Sequence, residues 1–335
     1  MTTQNNQTNA QQHLLPRMYL EGFAESGKHK RLSVWERASG KVRGGSPRTV
    51  AKAGGFFTYT DKDGNMSDEL EKLFEVVETG VKPIIYNINS LFPPPITGQY
   101  KDDLAQYVAF QHMRTAVKRK EMEQSADMLV KLQTRAMLQS REQISKALES
   151  VGHEPSEEAI TQVEEVVKNP HKYEIVPSKE MILNAQLKQL PAIAEVLLRR
   201  DWHIVTFDEP TLITSDNPVL LKPDDTQPYY WLRGVGLGTA QEIWFPLTST
   251  RLLVLSHPDY TGPRILKGTP QLAQRANEVQ LASSYMEAYG LPAIMKHYDG
   301  KPLGARPLSE VDSGFDQEFF AHYNKPPDRP RPING

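Results

Sequence analysis

Trp202-His203-Ile204-Val205-Thr206-Phe207 is the stretch on which the fold turns. Its β-branched and aromatic residues read as a strand. Thr211–Ser215, Pro218–Leu221, Glu242–Pro246 and Arg251–Ser256 follow it as further short strands around turns. Upstream the period is different: Glu180–Arg200 carries helical spacing, with a break expected at Pro191. Further back, Arg31–Arg37 alternates, and Ala-Ser-Gly-Lys at 38–41 supplies a turn into Val42, which predicts a hairpin. Phe56–Thr60 reads as a third strand there. A last helix is expected over about Pro270–Tyr289, then a strand near Ala293–His297. Strands in clusters separated by helices predict an α+β fold, with mixed or antiparallel sheets packed against several helices.

Between these clusters lies a long helical region. Leu70, Leu73, Phe74, Val77, Val81 and Ile84 form one apolar stripe, with a kink expected at Pro83. From Lys101 to about Val151 the chain is rich in strong helix formers. Its first part holds Leu104, Tyr107, Val108 and Phe110. Beyond Lys118 it is strongly charged, with a thin stripe of Met122, Met128, Leu129, Leu132 and Met137, so a long charged helical arm is expected. Residues 1–12 are polar and are expected to be a disordered leader. His13–Glu25 reads as a short amphipathic helix. The expected organisation is one α+β domain from 13–117 and 176–322, a helical insertion at 118–175, and a loose Pro-rich tail at 323–335.

With 39 basic and 41 acidic residues, the chain lacks a uniformly basic nucleic-acid coat. The absence of cysteine excludes disulfides, thiolate metal sites and cysteine nucleophiles, and fits a cytoplasmic location. No apolar run reaches the length of a membrane span. Gly234-Val235-Gly236-Leu237-Gly238 lacks the framing of a dinucleotide loop, and no zinc-protease, Walker or nucleophile-elbow motif occurs.

Several polar residues are candidates for chemistry. His13, with Arg17 beside it, fits a general base or acid, or equally a histidine that bonds the backbone at a helix start. Glu71 and Glu78 lie two turns apart on one helix face, as a divalent-metal pair or as ordinary solvated glutamates. Gln111 and Arg114 share one face of an apolar segment. An arginine so placed grips a phosphate or carboxylate, or braces an internal acid. Thr214-Ser215-Asp216-Asn217-Pro218 ends a strand, where ligand loops sit, yet it is also good turn chemistry.

The ordered set of His13-x-x-Pro16-x-x-Tyr19-Leu20-x-x-Phe23, Val34-Trp35, Phe57-x-Tyr59, Glu71, Glu78, Gln111-x-x-Arg114-Thr115, Thr214–Pro218 and Phe245-Pro246-Leu247 resembles a bacterial family known as domain of unknown function 4238. The likeness runs from about residue 12 to 290. The resemblance implies one domain with a variable helical insertion near 118–175. It also implies a polar signature of His13, Glu71, Glu78, Gln111, Arg114, Asp216 and Asn217. Where the family pattern has a proline after the Arg-Thr pair, this chain has Ala116-Val117, so an unbroken helix is expected there.

The function expected is a hydrolase of phosphate esters, in its sharpest form a nuclease of a bacterial defence or toxin type. His13, Arg114 and Asp216 would be catalytic, Arg17, Gln111 and Asn217 would hold substrate, and Glu71 with Glu78 would hold magnesium or manganese. The partner is then a nucleic acid or phosphate ligand, with no membrane. The alternative is a non-catalytic binding or regulatory protein that uses residues 118–150 to bind a partner or a second copy.

Overall fold

The computed structural model describes residues 11–60, 66–67, 69–90, 93–222 and 236–304, and within these the side chains of 59–60, 66 and 69–71 fall outside the described residues. The N-terminal part holds β1 (Gln11–His13), α1 (Arg17–Leu20), β2 (Leu32–Glu36), β3 (Val42–Gly45), β4 (Lys52–Gly54), β5 (Tyr59–Thr60) and β6 (Met66–Ser67). The helices follow: α2 (Glu69–Ile88), α3 (Gln99–Met113), α4 (Ala116–Met137), α5 (Arg141–Ser150), α6 (Glu157–Lys168) and α7 (Lys179–Leu198). The last part holds β7 (Asp201–Thr206), β8 (Thr214–Ser215), β9 (Leu220–Lys222), β10 (Glu242–Thr248) and β11 (Arg251–Ser256). After these come α8 (Pro270–Ser283), β12 (Glu287–Gly290) and α9 (Pro292–Met295). Helices beside antiparallel sheets make this an α+β fold.

Two four-stranded antiparallel sheets organise the chain. One has the order β7-β11-β10-β9, the other β3-β2-β12-β8. Every residue of β10 and β11 is buried. Their near-continuous apolar runs are what a strand covered on both faces requires. Each fully buried leucine or isoleucine there contributes about 1.5–3 kcal/mol relative to exposure.

The main core joins this sheet to α1 and α3. Leu15, Tyr19 and Phe23 meet Leu104, Tyr107 and Val108 over Val205, Ile243, Phe245 and Leu253. Tyr19 stacks on Phe245 with ring centroids 5.3 Å apart, and Tyr107 lies 6.0 Å from the same ring. The Tyr19 hydroxyl donates to the Pro246 carbonyl at 2.7 Å and meets Thr214 Oγ1 at 2.8 Å, which satisfies a buried phenol.

Several expectations need correction. Gln11 and Gln12 are paired in β1 against β4, and Gln12 is buried: its Nε2 donates to Thr58 Oγ1 at 2.8 Å and its Oε1 accepts from the Phe57 N–H. His13 is therefore a strand residue, not a helix-entry one. Pro16, extended at ψ 134, holds the helix back until Arg17. The unbroken helix past Arg114 does not form. Thr115, at ψ 153, caps α4 by accepting from the Lys118 N–H, and hydroxyl capping competes well against helix continuation. β4 is a strand that no sequence pattern announces, and only Tyr59–Thr60 of the expected Phe56–Thr60 strand is a strand. Residues near 293–297 form a short helix and a 3-10 turn, not a strand, while the preceding helix stops at Ser283. Helices α2 and α7 continue through Pro83 and Pro191. Helix α4 packs on α3 and α7 near its start and on α6 further out, and Ser140 opens α5 with a full capping box. The 1–10 part of the expected leader and the 323–335 tail lie outside the described residues.

Candidate functional site

Helix α3 builds the site. Tyr107, Gln111 and Arg114 recur at i, i+4 and i+7, which stacks them along one face over two turns. Leu104, Ala105, Val108 and Ala109 around them belong to the core, so this polar face lies inside the protein.

Arg114 is the C-cap residue of α3, with a side chain 4 % exposed. Its Nη1 donates to Glu78 Oε1 at 2.8 Å, from a carboxylate that is 25 % exposed. Its Nη2 donates to the His13 carbonyl at 2.6 Å. The guanidinium lies over Phe74 at 4.6 Å and Phe57 at 5.3 Å from the ring centroids. One arginine thus ties α3 to α2 and to β1. The stack continues outward: Phe57 meets Phe56 edge-on at 4.8 Å, and Arg119 lies over Phe56 at 3.5 Å. A cavity of about 20 Å³ sits against Arg114, Phe57, Phe74, Phe110 and Gln186, with room for about one water.

Other atoms of this face have no partner. Gln111 is 0 % exposed, and neither its Nε2 nor its Oε1 is hydrogen-bonded. The Tyr107 hydroxyl, Arg114 Nε and His13 Nε2 are buried and unpartnered as well. Burial pushes the Tyr107 phenol up, with smaller effects from Tyr19, Glu78 and Arg114. An unpaired buried polar group costs about 1–3 kcal/mol.

β1 and β4 set the histidine. His13 and Lys52 are cross-strand partners, which puts their side chains on the same side of the ribbon. Burial, then the Lys52 charge, lowers the His13 pKa below its usual 6.5, against hydrogen bonds to the main chain at Pro47 and Arg48. The imidazole is neutral at pH 7 and able to accept a proton.

Asp216 and Asn217 belong to another network. The Asp216 carboxylate accepts from the main-chain N–H groups of Tyr285 at 2.7 Å, Met286 at 2.6 Å and Glu287 at 3.0 Å. Burial pushes its carboxyl up to about 6, against the pull of those three donors. The Asn217 amide donates to the Ser283 carbonyl at 3.0 Å, and the Asn217 carbonyl accepts from Gln280 at 2.9 Å. These two residues fasten α8 and β12 to β8. Among the described residues, no hydrogen bond or ion pair joins Asp216 to His13 or Arg114. The expected trio therefore separates into His13 and Arg114, joined through the His13 carbonyl, and a turn-fastening aspartate, because three amides in a tight turn hold the carboxylate.

Arg17 is 58 % exposed and pairs with Glu21 at 3.1 Å. Glu71 lies in α2, but its side chain is outside the described residues. Among the described residues, no group of three or more His, Asp or Glu is arranged to hold a metal ion. No helix among them is long and apolar enough to cross a membrane. Tyr107 is expected from sequence only as a core residue. Its spacing to Gln111 and Arg114 was the available signal, masked because tyrosine suits an apolar face equally well.

Residues 11–293 match the family model described as Protein of unknown function (DUF4238), and the chain belongs to that family. No curated protein and no solved structure matches the chain.

Proposed function

We propose that this protein is a hydrolase of phosphate esters whose centre is the Tyr107–Gln111–Arg114 face of α3 beside His13. The observation that carries the reading is the set of buried, unpartnered hydrogen-bonding atoms on that face together with the unpartnered Nε2 of His13. Gln111 Nε2, the Tyr107 hydroxyl and Arg114 Nε are donors suited to phosphoryl oxygens, whose charge grows in the transition state. Neutral His13 takes a proton from the attacking water as its oxygen forms the new P–O bond. The ester P–O bond breaks, and the departing alkoxide receives the proton back from the imidazolium. Arg17 remains a candidate for outer substrate contacts, and nucleic acid is the substrate class of the sharpest version, a nuclease of defence or toxin type.

The metal version places magnesium or manganese on Glu71 and Glu78. Glu78 is held by Arg114, so a cation there must draw the carboxylate away from the guanidinium. Asp216 and Asn217 take no part, since both are engaged with the backbone around 283–287. The test is incubation of the purified chain with RNA, single- and double-stranded DNA and a generic phosphodiester, each with magnesium, manganese or chelator. Cleavage that is lost in folded His13→Ala and Gln111→Leu supports the reading, and the chelator arm decides the metal. Absence of cleavage throughout the panel contradicts it.

A second reading has its own observation. Arg114 bridges three elements and Asp216 fastens two more, as residues of a structural network do. In that case the protein is a non-catalytic binding or regulatory module. Helix α4, with Leu129, Leu132 and Met137 exposed, would then pair with a second copy.

A further inference from the structure

Across the Phe56–Phe57 pair from Arg114 stands a second arginine that the hydrolytic centre does not use. The Arg119 Nη2 donates to the Phe56 carbonyl at 2.7 Å while its guanidinium rests on the Phe56 ring. Lys179, the first residue of α7, donates to the neighbouring carbonyl of Gly55. Two like charges are therefore fixed on consecutive carbonyls of one turn. Gly55, at φ +57, is the residue that lets the turn form.

This arrangement is poor for stability by itself. Burial lowers the pKa of Arg119, and burial followed by the Arg119 charge lowers that of Lys179. The acids acting on the pair are Glu123 and Glu180, and Glu123 is shared with Lys120 at 3.3 Å. Arg119 Nε is buried without a hydrogen-bond partner. Carbonyl dipoles hold both cations in place but do not cancel their charge. An anion between them would, and the stacked guanidinium is already ordered for a planar fork of donors.

We propose that Arg119 and Lys179 form an anion subsite on the Gly55–Phe56 turn that takes a phosphoryl group. The subsite is separate from the His13 chemistry and stands without it. Its ligand is either inorganic phosphate or a phosphate of a nucleic-acid strand, which share the same recognition.

The test is calorimetric titration of the full chain at low salt with inorganic phosphate and, separately, with a short single-stranded oligonucleotide. The chain is compared with Arg119→Gln, Arg119→Lys and Lys179→Gln. The wild type is expected to bind at least one of the two, and each glutamine variant to bind it about tenfold more weakly or less. Arg119→Lys keeps the charge but loses the fork, and is expected to fall between. Melting temperatures in anion-free buffer check that each variant is folded at the temperature of the titration. Binding of phosphate identifies a small-ligand site, and binding of the oligonucleotide alone identifies a strand contact. Failure to bind either, or equal affinity in all variants, overturns the subsite.

Discussion

Replacing Arg114 with alanine is expected to destabilise the protein by about 3.5–6 kcal/mol. The magnitude follows from what the side chain touches. Its hydrogen bond to the His13 carbonyl has a charged donor in a dry setting, worth about 1.5–3 kcal/mol. Its contacts with Phe57 and Phe74 add about 1 kcal/mol, and the void left by its stem roughly another. The pair with Glu78 adds at most about 1 kcal/mol, because the carboxylate reaches solvent. Arg114→Lys is expected to recover about half, since a compact ammonium lacks the planar fork that spans Glu78 and the His13 carbonyl and stacks on Phe57 and Phe74. Urea unfolding of wild type, Arg114→Ala, Glu78→Gln and the double variant measures this, at constant m-value. A loss below about 1 kcal/mol for Arg114→Ala would refute the picture of an arginine that ties α3 to α2 and β1.

Gln111→Leu is expected to leave stability unchanged or raise it slightly, because an unpaired buried amide gives way to an apolar group of similar size; thermal melting reads this, alongside loss of turnover on a phosphodiester. Asp216→Asn is expected to cost about 1–3 kcal/mol, since one of its two terminal groups then points a donor at a main-chain N–H; chemical denaturation is the assay. The raised Asp216 carboxyl means that the folded chain holds a proton that the unfolded chain has released. Its contribution to stability therefore falls as pH rises from about 4 to 6, and the fall is absent in Asp216→Asn. His13 has the opposite sign: its lowered pKa makes the unfolded chain take up the proton first. Stability is thus lost as pH drops below the ordinary 6.5, less so in His13→Ala. If α4 pairs with a second copy, removing residues 119–170 converts a dimer to a monomer in light scattering, and an unchanged oligomeric state counts against the self-association reading.

The sheets were legible where burial is one-sided or complete over several residues. Arg251–Ser256 and Trp202–Thr206 were found nearly to the residue because their side chains announce the period. β1 and β4 were not, since Gln11, Gln12, Lys52 and Gly54 have no strand pattern. Gln12 reaches the Phe57 N–H and the Thr58 hydroxyl beside this pairing, a contact that periodicity does not encode. The break at Thr115 was overridden by the strong helix formers on either side, although a threonine hydroxyl is good capping chemistry. At the site, Gln111 and Arg114 stood out correctly as polar residues on an apolar face, and both are buried. Asp216 misled because a strand-end aspartate looks the same in sequence whether it faces a ligand or three amides. Only the turn at 284–287, far along the chain, decides between them.

The most direct test of the hydrolase reading is the pH–rate profile of kcat/KM on a phosphodiester substrate for wild type and a folded His13→Ala variant. Wild-type activity is expected to fall on the acid side, with an apparent pKa below 6.5 that the variant lacks along with most of its rate. Superimposable profiles, or no hydrolysis by the wild type at any pH, would contradict it.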